Sequence, residues 1–263
     1  MRPSKTKSSD TIVGSVEQSI GRLIFNNPRK YNALTQSCWE AIPQKIDELM
    51  NKGARVLIVS GENENFCSGA DVSEFDVVRK DTATAQFYEQ TNRDAFKALR
   101  TAPIPTIAKI KGYCLGGGFG LAAACDLRIA AHGALFGVPA AKLGLAYPVA
   151  AMTDIVHAIG AQHTKQMLFT ADRFTAAQMH EYGFLREVFS EDVLETHVFN
   201  LATKISELAP LTHHATKAAI SAAHLDTSVE TAMLVGDSTF TSADYSEGRK
   251  AFIEKRKAKF TGS

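Results

Sequence analysis

The sequence predicts an α/β fold on three observations. Nearly continuous apolar runs open onto glycine-rich loops, segments of helical period separate them, and the last third is almost purely helical in pattern. Residues 11–17 and 20–25 read as two short strands around a tight turn at Ser19 and Gly21. Asn26-Asn27-Pro28 breaks that pattern. Thr35 can then cap an amphipathic helix with Trp39, Ile42, Ile46 and Leu49 on one face. Residues 55–60, RVLIVS, are apolar enough for a parallel strand buried on both faces. The loop FCSGADV follows, then a polar stretch to Gln86, and helical period returns over residues 87–99. Pro103 and Pro105 end that segment, and residues 106–110 make another buried strand. It leads into GYCLGGG, an apolar helix through Ala124 and a strand at 127–130. From Thr153 onward the pattern is helical except for a strand at 186–189. Thr175, Asp192, Pro210 and Asp226 are candidate helix starts, and the last helix is expected to end in EKRKAKF. The implied division is a ragged tail over 1–10, an α/β core over 11–200 and a helical region over 201–263. Helices that cannot pack fully on their own core commonly pack on a partner, so an oligomer is expected.

Composition narrows the function classes. At 263 residues with 45% hydrophobic and 22% charged side chains, this is an ordinary globular chain. A formal net charge of +1 gives no general attraction to nucleic acid or a membrane surface. The tail MRPSKTKSSD leads into no apolar run and no stretch approaches a membrane span, so the cytoplasm is the expected location. Cys38, Cys67, Cys114 and Cys125 stand singly, which suits buried hydrophobes better than ligands or nucleophiles. The eight histidines are scattered and no metal is expected.

Gly116-Gly117-Gly118-Phe119-Gly120 at a strand–helix junction invites a dinucleotide site, but the G-x-G-x-x-G spacing would need glycine where Leu121 stands. The run serves another use. Glycines opening a helix let a ligand reach free main-chain N–H groups, with the positive end of the helix dipole behind them. Such donors favour a carbonyl oxygen that is becoming an enolate, and tight helix–strand packing is the competing explanation. FCSGAD, just after a buried strand, would bring a second N–H group.

FCSGADV and GYCLGGGFGLAAACDLRIA resemble the two oxyanion-hole motifs of the crotonase (enoyl-CoA hydratase/isomerase) superfamily, in the same order. NPRKYNAL and EGRKAFIEKRKAKF resemble its flanking motifs, so the likeness spans nearly the whole chain from about residue 12. The resemblance implies a spiral of ββα units with C-terminal helices that form homotrimers, often paired into hexamers. It implies an acyl-CoA substrate, with coenzyme A entering as part of that substrate and no separate cofactor. Ala70 and Gly117 would donate the two N–H groups. The Ala70, Asp71 and Val72 backbone would lie along adenine and pantetheine, and Arg29 and Lys30 would approach the phosphates. Phe252 and Lys255 would reach the nucleotide, often from a neighbouring subunit. Ala33, Ser68, Gly116, Gly120 and Ala140 complete the expected substrate-binding set. Asp71 is also suited to ordering its own loop.

The pattern departs from the family's hydratases at two positions. Where they carry glutamates, this chain has Gly120 and, in FGVPA, Ala140. Neither residue can activate water or move a proton. Decarboxylation of a malonyl-type thioester needs no base, because loss of CO₂ itself generates the enolate. LGLAY, with Tyr147, and the C-terminal FTSADYSEGRKAFIEKRKAKFTG resemble the superfamily's methylmalonyl-CoA decarboxylases. Tyr147 could orient a substrate carboxylate or simply line the acyl pocket. Two other readings stand beside decarboxylation: a hydratase or isomerase drawing its acid from elsewhere, and a non-catalytic acyl-CoA-binding subunit. A polar group within reach of the thioester α-carbon favours either enzyme reading, and a wholly apolar pocket favours the binder. Asp154 and His157, one helical turn apart, are read as a structural pair with a smaller prospect of reaching the pocket.

Overall fold

The computed structural model describes residues 11–224 and 229–263. Its main sheet has six strands in the order β1 (Ile12–Glu17), β2 (Ile20–Phe25), β3 (Val56–Gly61), β4 (Thr106–Ile110), β6 (Leu127–Ala131) and β9 (Glu187–Phe189). Three short strands, β5 (Tyr113–Leu115), β7 (Leu135–Gly137) and β8 (Phe174–Thr175), make a second sheet. In the main sheet β1 pairs antiparallel with β2, and every later pairing is parallel. The hairpin turns on Gln18 and Ser19, with φ of 49° and 63°. Such a two-residue turn matches the strand twist. Gly21 lies inside β2 and not in the turn, where the sequence reading places it.

β4 passes almost directly to β5, and β6 to β7, so each pair places one strand in either sheet before a helix. These helices are α4 (Gly117–Ala124) and α5 (Val149–Thr170). Strand residues alternate between two cores. Leu23, Phe25, Leu57, Val59 and Ala108 face one side, where α1 (Gln36–Asn51) and α3 (Thr82–Thr101) pack. Ile20, Val56, Ile58, Ile107 and Ile129 face the other, which α7 (Glu191–Ser206) covers with Leu194, Val198 and Ala202. Each such side chain contributes roughly 1.5–3 kcal/mol when fully buried. This two-sided burial is why the strands read as unbroken apolar runs.

Several boundaries differ from the sequence reading. A short helix, α2 (Phe75–Val78), precedes α3, and a capping box between Asp81 and Thr84 starts α3 at Thr82, within the polar stretch to Gln86 that the sequence reading gives no element. α5 begins at Val149, ahead of Thr153, and breaks at Gly160, where φ is 71° and ψ 163°. α6 (Ala176–Glu181) starts at Thr175 as predicted, through a capping box with Gln178. α7 begins at Glu191, one residue before Asp192, and runs through residue 200. The core therefore extends to Ser206. α8 (Pro210–His224), α9 (Val229–Ser238) and α10 (Ala243–Glu254) complete the chain. α10 stops at Glu254 because Lys255 takes a left-handed conformation, so KRKAKF leaves the helix. The helix start at Asp226 and the tail over 1–10 lie outside the described residues. All four cysteines are free and buried. Among the described residues no helix is long and apolar enough to cross a membrane.

Gly118 shows how closely α4 meets the loop after β3: a Cβ there would lie 2.4 Å from the Cys67 carbonyl oxygen. Gly236, inside α9, has open space at the same point. In denaturant titrations Gly118→Ala is expected to lose about 1–3 kcal/mol or more. Gly236→Ala is expected to gain about 0.5–1 kcal/mol. Equal effects would contradict the close approach.

Candidate active site

The site begins with NPRKYNAL. Pro28–Lys30 form a single 3-10 turn, and Tyr31 and Asn32 then take positive φ. The strain is held by Asn32, whose buried side chain accepts from Asn27 N (2.9 Å) and donates to Glu62 O (3.0 Å) and Asn65 O (2.6 Å). Leu34 is thereby laid beside the FCSGAD loop: its N–H donates to Gly69 O and its carbonyl accepts from Asp71 N, both at 2.8 Å. On the loop's other flank Cys67 N donates to Tyr113 O (2.8 Å) and accepts, through its carbonyl, from Leu115 N (2.9 Å). The loop is thus a strand-like filament clamped between Leu34 and β5.

Bonding in such a ladder alternates in direction along the chain. Gly69 and Asp71 bond to Leu34, so the N–H of Ala70 is turned the other way. Across the gap Gly116 adopts φ 50° and ψ −122°, a conformation open to glycine, and its N–H donates to Gly137 O (2.8 Å). Gly117 then opens α4, where a first-turn N–H has no intrahelical partner. Neither the Ala70 nor the Gly117 N–H donates to a main-chain or side-chain acceptor among the described residues. A Cβ on Gly117 would lie 3.8 Å from Ala70 N and only 2.8 Å from the Trp39 ring. The two donors therefore sit side by side, and Trp39 permits no side chain at Gly117.

These donors face a cavity of about 130 Å³. Of the residues expected from the sequence, Ser68, Ala70, Val72, Gly116, Gly117, Ala140 and Tyr147 line it. Gly120 lies just behind: a Cβ there would meet Tyr147 Oη at 2.7 Å and Phe96 at 2.9 Å. The space beside Gly120 is therefore filled by Tyr147 and Phe96. Tyr147 Oη donates to the Gly116 carbonyl (2.8 Å), so its proton is committed to the main chain. Burial raises its pKa well above the ordinary tyrosine value, which makes it neither an available base nor a ready acid.

Among the described residues no aspartate, glutamate or histidine lines this cavity; besides Tyr147, its polar side chains there are Ser68, Arg79 and Asn92. Arg79 and Asn92 were not singled out in the sequence. Arg79 lay in the polar stretch to Gln86, but Asn92 had a signal, since it shares the buried stripe of α3 with Tyr88 and Phe96.

Other expected residues sit elsewhere. Ala33 is buried, with its N–H donating to Lys30 O and its carbonyl accepting from Asn27, and it does not line the cavity. Arg29 is exposed on the adjacent turn, and Lys30 Nζ bonds to Asp71 Oδ2 (2.6 Å) and Ser73 Oγ (3.1 Å). Asp71 orders its loop by accepting from Ser73 N and Oγ. Phe252, 87% exposed on α10, and Lys255 just beyond it are not brought to the cavity within the chain. Asp154 and His157 line a separate cavity of about 490 Å³, where Asp154 pairs with Arg100 at 2.7 Å. Desolvation nevertheless outweighs Arg100 and raises the Asp154 pKa. Burial also pushes the Cys67 thiol up to about 12, leaving no thiolate beside the loop. Among the described residues no three His, Cys, Asp or Glu side chains are grouped to hold a metal ion.

Two main-chain donors thus face a small cavity on a framework that matches structures of the crotonase fold. The chain belongs to the enoyl-CoA hydratase/isomerase family, whose sequence model matches residues 15–263, and is accordingly an enzyme acting on acyl-CoA. It is 33% identical over 258 residues to a Mycobacterium tuberculosis protein described as a "probable enoyl-CoA hydratase" (echA8), covering 96% of this chain and 98% of that one. It is 29% identical to the crotonyl-CoA hydratase of Syntrophomonas wolfei, covering 95% and 98% of the two chains. The solved structure of an enoyl-CoA hydratase/isomerase family protein from Hyphomonas neptunium matches with a TM-score of 0.91 at 32% identity, covering 96% and 98%.

The loop's acid gives a pH prediction. Burial alone would raise the Asp71 carboxyl, but hydrogen bonds from Lys30 and Ser73 outweigh it and hold its pKa below the ordinary aspartate value. A carboxyl depressed on folding stabilises the fold above its unfolded value, and that stability is lost as pH falls through the folded value. Wild type should therefore exceed Asp71→Asn in melting temperature at neutral pH, and the gap should close below about pH 4. A gap independent of pH would rule out the ionised pair as its source.

Proposed function

We propose that the enzyme forms thioester enolates without a carboxylate base, and that its reaction is decarboxylation of a short malonyl-type acyl-CoA. The observation that carries this reading is the cavity wall: two main-chain donors for an oxyanion and, among the described residues, no acidic side chain or histidine lining the cavity with them. In the reaction the bond from the α-carbon to the carboxyl group breaks and CO₂ leaves. The electron pair becomes the enolate, whose oxygen rests on the Ala70 and Gly117 N–H groups. The α-carbon then takes a proton from solvent, which restores the thioester. Each donor of such a pair is worth about 10²–10³ in rate.

Hydration, the activity named for several relatives, would require a proton-transfer group that neither Gly120 nor Ala140 supplies. The polar Arg79, Asn92 and Tyr147 support an enzyme over a passive binder. Tyr147 acts here as a positioning residue, fixing the Gly116 carbonyl and hence the peptide that precedes the Gly117 N–H. The Ala70–Val72 backbone would carry the adenine and pantetheine, with Arg29 and Lys30 near the phosphates. Exposed Met233, Leu234, Phe252 and Ile253 are consistent with a homotrimer or hexamer in which Phe252 and Lys255 serve a neighbouring nucleotide site.

Incubation with malonyl-, methylmalonyl- and crotonyl-CoA, followed by mass spectrometry, is expected to yield acetyl- and propionyl-CoA and little 3-hydroxybutyryl-CoA. Rapid crotonyl-CoA hydration would sink the proposal. Tyr147→Phe should lower kcat by about ten-fold with a smaller change in KM, on the scale of ~1 kcal/mol for one hydrogen bond. An unchanged kcat/KM would reduce Tyr147 to a wall of the pocket.

A further inference from the structure

Among the described residues two buried side-chain atoms have no hydrogen-bond partner, Arg79 Nε and Asn92 Oδ1, and both residues line the same cavity. Asn92 is only 4% exposed. Leaving a buried polar group unbonded costs ~1–3 kcal/mol, so an orphan in a native core calls for an explanation. Two orphans on one cavity wall share an explanation.

Arg79 is built into place. Its guanidinium lies over the Phe75 and Tyr88 rings, 4.7 Å and 4.8 Å from their centroids, while Nη2 donates to Glu89. Stacking and ion pair together fix the guanidinium plane and leave the Nε–H uncommitted. Arg79 is also the one charged residue among those lining the cavity. The Asn92 amide can present its NH₂ group in place of its oxygen by a half-turn. The wall then offers one charged donor and a neutral amide donor.

We propose that Arg79 Nε–H and the Asn92 amide bind a carboxylate carried on the acyl group, selecting malonyl-type thioesters over uncharged acyl groups of the same shape. This rests on the decarboxylase reading and names the residues that recognise its substrate. Glu89 shares the guanidinium charge, so the carboxylate is oriented without being fully neutralised. Full ion pairing would stabilise the ground state more than the transition state and slow CO₂ loss. The cavity of about 130 Å³ has room for a short branched group.

The test is calorimetric, on the full-length protein, with sulfoacetyl-CoA, whose sulfonate mimics the malonyl carboxylate but cannot leave as CO₂. Isovaleryl-CoA is the uncharged counterpart of similar shape. Wild type should bind sulfoacetyl-CoA at least about ten-fold more tightly, the scale of one or two charge-assisted hydrogen bonds. In Asn92→Leu that preference should fall to within about three-fold of parity; Asn92 has no protein partner to strand, so the variant should fold. Arg79→Lys, which keeps the charge and loses the planar Nε–H, should weaken the preference independently. Equal affinities in wild type, or an undiminished preference in Asn92→Leu, would overturn the assignment. Selective sulfoacetyl-CoA binding without CO₂ release from malonyl-CoA would leave this assignment standing and defeat the decarboxylase reading alone.

Discussion

The site depends on one constraint: the strand-like clamp that holds residues 67–71 between Leu34 and β5. Its hydrogen bonds join Leu34 to Gly69 and Asp71 on one flank, and Cys67 to Tyr113 and Leu115 on the other. Because bonding direction alternates along an extended chain, the clamp decides which N–H groups remain free. Ala70 is left facing Gly117 by parity, not by any side chain. Asn32 anchors the clamp from one side and the Gly116–Gly137 bond from the other. Preorganised donors of this kind need no rearrangement when charge develops on the bound oxygen.

The same geometry explains why a missing acid at position 120 is more than one substitution. Tyr147 Oη and Phe96 occupy the space that a β-carbon there would enter, at 2.7 Å and 2.9 Å. The Tyr147 hydroxyl is in turn bonded to the Gly116 carbonyl, at the cap of the helix that presents Gly117. Glycine at 120, the tyrosine and the cap form a coupled unit. Introducing a glutamate alone would displace the tyrosine and with it a support of the donor pair.

Much of this was legible in the sequence. Buried parallel strands announce themselves as apolar runs because both faces are covered, and Thr35 and Thr175 cap helices as their side-chain chemistry dictates. The glycine run identified the loop that opens α4, because close main-chain approach leaves a mark in residue type. Less legible was whatever depended on contacts distant in sequence. β7 and β8 are too short to carry a periodic signal. The start of α3 was hidden because its first turns face solvent and read only as a polar stretch. That Asp154 pairs with Arg100 in another cavity could not be seen from its spacing to His157. Lys30 looked like a free cation and is tied to Asp71.

Asn92 marks the boundary between the two kinds of information. In sequence it is a polar residue on a buried stripe, which signals only that something must satisfy it. In the structure it lines the same cavity as Arg79, its Oδ1 unbonded, while the positions where acids were sought hold glycine and alanine. The polarity of the pocket has moved from the acid positions to the face formed by α3 and the residues before it. Under the proposed decarboxylation, a donor pair for the enolate oxygen on one side and hydrogen-bonding groups without a base on the other would divide the work of a reaction in which the substrate supplies its own electron pair. The cost of keeping Asn92 unbonded would then be borne by the free protein and offset on binding, which is how a site can prefer one acyl group without a catalytic side chain touching the α-carbon.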